Sequence, residues 1–175
     1  MFNDIKTLIW FLIRPKFYAT MISLVFRKFL PDKDSLSHRQ VDWCEEKSIT
    51  IEECYKKLDL IPSNLKPFTK EYVDEITETI KNSVSDFGGQ GHVDLLFGIC
   101  ESLKISKAIE TGVAYGWSSQ AILSSLSKRE GKLVSVDMPM VKQADYHLIG
   151  IAVNEINKKY WDLIREPDKY GLYKA

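Results

Sequence analysis

The chain has 175 residues, with 24 Lys and Arg balanced by 24 Asp and Glu, and is 45% hydrophobic and 27% charged. That length suits one ordinary domain with a small appendage, and the composition excludes a disordered chain. Zero formal net charge removes the basic footprint that a nucleic-acid binder carries.

The first thirty residues, "MFNDIKTLIWFLIRPKFYATMISLVFRKFL", are rich in large apolar side chains. They carry Lys6, Arg14, Lys16, Arg27 and Lys28 against one acid, Asp4. Their apolar runs, Leu8–Ile13 and Ala19–Phe26, fall short of the roughly 20 residues that span a bilayer. The first run ends in Arg14-Pro15 and not at a small-residue cleavage site, so it does not read as a signal peptide. Two readings stay open. Either amphipathic helices lie on an anionic membrane surface, or a helical hairpin packs its apolar face on its own domain or a second subunit.

Residues 31–38 form a polar connector. "SHRQVDWCEEK" reads as a helix capped by Ser37, and "TIEECYKKL" as another opened by a Thr50/Glu53 capping box. After the breaks at Pro62 and Pro67, the segment from Thr69 places Tyr72, Val73, Ile76, Ile80 and Val84 on one helical face. "DFGGQG" is a sharp loop. "HVDLLFGICESL" is a further helix with Leu95, Leu96, Ile99 and Leu103 as its apolar stripe. These boundaries give a helical region over 1–62 and a second domain over 63–175. Cys44, Cys54 and Cys100 form no C-x-x-C pair and read as reduced thiols. His38, His92 and His147 show no ligand spacing against them, so no metal site is expected.

From Lys107 the pattern becomes α/β. "KAIET" is a strand, "WSSQAILSSLSKRE" a helix ending near Gly131, and "KLVSVD" a second strand. A short helix opened by Asn154 precedes a third strand, "WDLIRE". Strand, helix, strand, crossover, strand implies a parallel sheet of Rossmann-like type.

The turn "ETGVAYGWSS" carries the chemistry. A glycine after a parallel strand lets the backbone turn tightly and approach a ligand, and the following helix turns free N–H groups to the same place. Asp137, at the tip of the second strand, is placed to accept hydrogen bonds from ribose hydroxyls. A dinucleotide fingerprint would need a middle glycine, where G-V-A-Y-G has none, and no G-K-[ST] follows to make a P-loop. Glu110 repels a phosphate and suits a cationic centre. An ammonium near Glu110, a carboxylate at the helix start and a ribose at Asp137 together describe S-adenosylmethionine.

"IETGVAYGWSSQAIL" followed by "KLVSVDMP" resembles the glycine motif and second-strand acid of class I S-adenosylmethionine-dependent methyltransferases. It is similar to the E-x-G-x-x-x-G-x-S version of catechol O-methyltransferase-like families and of enzymes from bacterial glycan and natural-product clusters. The resemblance implies that Glu110 lies by the methionine amino group, that Thr111 is among the cofactor-binding residues, and that Gly112 and Gly116 form the floor beneath the cofactor. It further implies that Ser118 meets the carboxylate, Asp137 holds the ribose and Met138 lies near the adenine. "DFGGQGHVDLL" resembles the segment that closes over the cofactor.

The same resemblance implies a longer sheet, with strands four to seven and the family's substrate-binding and metal-binding acids outside this sequence. The chain is therefore expected to be the N-terminal half of such a domain, inactive alone or paired in an oligomer through the open edge of its first strand. Tyr115, His92 and His147 read as structural, since no orienting acid can be placed beside them. The expected activity is O-methylation of a glycan or other small hydroxyl-bearing acceptor. The expected location is the cytoplasm, and its face of the membrane on the reading in which the N-terminal helices lie there. The competing readings are a Rossmann protein binding NAD or a nucleotide sugar, and a non-catalytic module that binds a membrane or partner.

Overall fold

The computed structural model describes residues 2–30, 38–84, 86–139 and 146–175. They fall into two compact units, Met1–Cys54 and Tyr55–Ala175. The capping expected of Ser37 lies outside the described residues.

In the first unit, helix α1 (Phe2–Leu12) and helix α2 (Tyr18–Phe29) are joined by one 3-10 turn over Pro15–Phe17. Proline supplies the fixed φ at the start of that turn. Phe11 and Phe17 are buried, and Trp10 packs on both rings at centroid distances of 5.1 and 5.3 Å. Helix α3 (Arg39–Lys47) buries no residue. Helix α4 (Ile51–Lys57) opens on the reciprocal box expected from the sequence. The Glu53 N–H donates to Thr50 Oγ1 at 3.2 Å, and the Thr50 N–H donates to Glu53 Oε2 at 3.0 Å. Among the described residues no helix is long and apolar enough to cross a membrane.

The second unit is an open α/β layer. Strands β1 (Lys107–Thr111), β2 (Lys132–Val136) and β3 (Trp161–Ile164) form a parallel sheet in the order β1-β2-β3. The register pairs Glu110 with Ser135 and Thr111 with Val136. It then pairs Ser135 with Leu163 and Val136 with Ile164. Alternation along each strand sends Ala108, Glu110, Leu133, Ser135 and Trp161 to one face. On that face lies helix α7 (Trp117–Leu126), whose Ile122, Leu123 and Leu126 form one core cluster with Leu133, Val153 and Cys100. Leu123, Leu126 and Leu133 are fully buried, each contributing about 1.5–3 kcal/mol by leaving water. Helix α8 (Glu155–Lys158) begins where Asn154 Oδ1 accepts from the Asn157 N–H at 2.8 Å. Helix α9 (Asp168–Gly171) ends the described fold.

Helix α5 (Lys70–Ile80) and helix α6 (Val93–Ser102) build the second cluster, with Ile76, Val93 and Phe97 around Tyr115, Trp117 and Ala121. Two details depart from expectation. Val84 lies past the end of α5 and is exposed, and Leu103 is 69% exposed while Val93, Phe97 and Cys100 are the buried face of α6. "VDLLFGIC" is apolar on most sides, so periodicity alone could not choose its face. Glu101 ties α6 to the end of α7, accepting from Ser125 Oγ at 2.6 Å, Lys128 Nζ at 2.6 Å and Arg129 Nη1 at 3.1 Å. Burial works against its charge, but these three donors prevail and hold its carboxyl below the ordinary value.

Candidate functional site

The loop between β1 and α7 turns through three residues of positive φ: Gly112 at 75°, Ala114 at 52° and Gly116 at 86°. It is pinned from both sides. The Gly112 N–H donates to the Val136 carbonyl at 2.8 Å, extending the β1–β2 ladder by one bond. The Gly150 and Ala152 N–H groups donate to the Ala114 and Tyr115 carbonyls at 2.9 and 2.8 Å.

A cavity of about 630 Å³ opens over this loop, within the range of small-molecule sites. Thr111, Gly112 and Ser118 line it from the β1 side, and Asp137 and Met138 from the tip of β2. Five of the seven residues expected at the cofactor thus share one wall. Asp86 and Phe87 also line it, and they belong to the loop read as a cover. Tyr115 anchors that loop: its hydroxyl lies 2.9 Å from Ser83 Oγ, and its ring packs on Phe87 at 4.9 Å. Tyr115 is buried and serves as a strut. His92 and His147 are exposed. Among the described residues no group of three or more His, Cys, Asp and Glu could hold a metal ion. The three cysteines are free, and burial pushes the Cys100 thiol up.

Glu110 and Gly116 stand apart from that wall. Glu110 Oε1 accepts from Ser118 Oγ at 2.5 Å, and Oε2 accepts from Ser119 Oγ at 2.6 Å and Ser135 Oγ at 2.7 Å. Ser135 Oγ in turn accepts from Trp161 Nε1 at 2.8 Å. One carboxylate therefore joins β1, α7, β2 and β3, and it reaches the cavity only through the hydroxyl of Ser118. Gly116 packs against the backbone of Gly150, where a Cβ would lie 2.9 Å from the Gly150 Cα.

Asp137 carries the second charge. Its side chain is nearly buried, and Oδ2 accepts from Arg165 Nη1 at 2.6 Å. Arg165, one residue past β3, packs its guanidinium 5.0 Å from the Tyr146 ring centre. Its Nη2 is buried with no hydrogen-bond partner among the described residues. Sequence reading missed Arg165, because only the β2–β3 pairing brings it to Asp137. Burial raises the Asp137 carboxyl above its ordinary value of 3.8, with Arg165 opposing and Asp168 adding to the rise.

That balance gives a pH prediction. In Arg165→Met the opposing charge is gone, so the folded-state value of Asp137 rises further. The folded state then binds more protons than the unfolded state, and stability falls as pH rises through that value. Arg165→Met should differ least from the wild type at acid pH below the ordinary carboxylate range, where Asp137 is protonated in both the folded and the unfolded state. By neutral pH it should lose about 2–3 kcal/mol, the cost of stranding a mostly buried carboxylate. Urea unfolding at acid and neutral pH measures the gap. A gap that stays constant with pH would show that Arg165 contributes packing only.

No family model matches the chain, and no curated protein matches it. Among solved structures, the SAH-bound methyltransferase PaMTH1 of Podospora anserina is similar at 16% identity and a TM-score of 0.47. The likeness covers 83% of this chain and 55% of that one, so the chain spans about half the length of that protein.

Proposed function

We propose that the cavity over the β1–α7 turn binds S-adenosylmethionine and that the protein is an S-adenosylmethionine-dependent methyltransferase. The observation that carries this reading is the convergence of Gly112, Ser118, Asp137 and Met138 on one wall. The chemistry of that wall suits the ligand part by part. The start of α7, at the positive end of its helix dipole, suits a carboxylate, whereas the Ser118 hydroxyl already donates to Glu110 and can only accept, as from an ammonium. Asp137, which lines the cavity, accepts from ribose hydroxyls, and Arg165 fixes its carboxylate in place. Met138, Ile149 and Phe87 supply apolar surface for a purine. Glu110 orients Ser118 and Ser119 and keeps a negative charge one hydroxyl away from the ligand's ammonium.

The cofactor supplies an electrophilic methyl group on a sulfonium. The chain's own residues fix the orientation of the donor, and positioning is a large part of such a transfer. The acceptor in this reading is a hydroxyl of a glycan or another small molecule. That choice is supported by the E-x-G-x-x-x-G-x-S motif and rests on resemblance.

Calorimetry with S-adenosylhomocysteine and with NAD tests the reading. Heat of binding is expected for the first and none for the second. Asp137→Ala should weaken the first by about 1–3 kcal/mol, because ribose hydroxyls are left without an acceptor. Saturable NAD binding with no response to S-adenosylhomocysteine would overturn the assignment. A radiolabelled methyl assay across sugar and phenol acceptors then addresses the substrate.

A further inference from the structure

Helices α1 and α2 each turn an apolar stripe outward. On α1 the stripe is Ile5, Leu8, Ile9 and Leu12, and on α2 it is Ile22, Val25, Phe26 and Phe29, each at the spacing of one helical face. All eight are exposed, Ile9 by 52%, Phe26 by 59% and Phe29 by 75%. Buried Phe11 and Phe17, with Trp10 against both, take up the inner side of the hairpin. Soluble proteins seldom leave that much contiguous apolar surface uncovered without a partner for it.

The charge decides which partner. Residues 1–30 hold five cations and one acid, Asp4. Lys16 and Arg27 are exposed. At the turn, the Arg14 guanidinium lies 4.4 Å from the Trp10 ring centre and donates to the Trp10 carbonyl at 3.1 Å. A cation held on a tryptophan suits the boundary between headgroup and acyl chain. A second copy mating stripe to stripe would bring two such cation clusters together with one acid each. An anionic surface neutralises the same charges.

Length fixes the geometry. Helices of 11 and 12 residues reach roughly 17 Å, against about 30 Å of hydrocarbon. They can lie in the interface but cannot cross it. We infer that residues 2–30 form an interfacial anchor, with both apolar stripes in the acyl boundary of an anionic bilayer and Arg14, Lys16 and Arg27 at its headgroups.

Flotation of the full chain with phosphatidylcholine vesicles, with and without phosphatidylserine, tests this. At least tenfold more protein should float with the anionic vesicles, and high salt should release it. The pair Ile9→Glu and Phe26→Glu should cut that binding at least tenfold. Both substitutions fall on exposed positions, and an unchanged circular-dichroism spectrum would show that the helices persist. Arg14→Glu with Lys16→Glu should abolish the preference for anionic vesicles. Equal recovery on both vesicle types, or on neither, would overturn the inference. So would concentration-dependent self-association that Phe26→Glu dissolves while no vesicle is bound.

Discussion

Glu110→Leu is expected to cost the Tyr55–Ala175 unit about 2–4 kcal/mol, because it leaves two fully buried serine hydroxyls without their acceptor, at about 1–3 kcal/mol each. Three hydroxyls, those of Ser118, Ser119 and Ser135, donate to this carboxylate. Ser119 and Ser135 are fully buried, so neither can turn to water when the acceptor is removed. Bonds to a charged group contribute about 1.5–3 kcal/mol each, and because these share one acceptor their losses do not add. The damage spreads as far as Trp161, whose Nε1 donates to Ser135 Oγ. Glu110→Gln keeps one acceptor oxygen and should cost only about 1–2 kcal/mol, since a serine hydroxyl can rotate to accept from the amide. Urea unfolding of both variants measures the difference. A midpoint for Glu110→Leu equal to that of the wild type would mean that the hydroxyls find other acceptors and the cluster carries no stability. Ser118→Ala touches both structure and binding, because it removes one of three donors to Glu110 and takes away a hydroxyl that lines the cavity.

The position of Glu110 shows what a sequence can and cannot reveal. The spacing E-x-G-x-x-x-G-x-S brought Ser118 into view, and the short strands were visible because glycine or a polar turn bounds each one. The saturation of the carboxylate depends on Ser135 facing it across the sheet, which follows from the pairing of Glu110 with Ser135. Strand registers are not written in either strand alone. Arg165 was hidden for the same reason, since it meets Asp137 only through the pairing of β2 with β3. The motif places Gly116 at the ligand, but its packing against Gly150 could not be seen, because Gly150 stands far along the chain. The face of α6 was illegible because the helix offers apolar residues in almost every direction. The outward stripes of α1 and α2 were visible as periodicity, but periodicity does not say whether a stripe turns inward or outward.

Gly150→Ala should be about as damaging as the loss of Glu110, for a different reason. The residue has a φ of 74°, a left-handed conformation that costs an alanine roughly 1–2 kcal/mol. The added Cβ would lie 2.4 Å from the Trp161 Cη2 and 3.1 Å from its Cζ3. The indole cannot swing aside freely, because its Nε1 donates to Ser135 Oγ. Either the ring moves and gives up that bond, about 1 kcal/mol, or the backbone shifts, and overpacking of this kind costs about 1–3 kcal/mol. Together these set an expected loss of about 2–5 kcal/mol in thermal or urea unfolding. Trp161→Phe removes the benzo ring that the methyl would strike. Gly150→Ala on that background should therefore cost less than in the wild type, with a coupling of about 1–2 kcal/mol in a double-mutant cycle. Strict additivity would place the cost in the backbone alone. The effect also reaches the cavity. The Gly150 N–H donates to the Ala114 carbonyl, and Ile149 beside it lines the wall, so a shifted backbone loosens the turn that carries Gly112. S-adenosylhomocysteine binding should weaken in Gly150→Ala even where the protein remains folded, and Trp161→Phe should restore part of it.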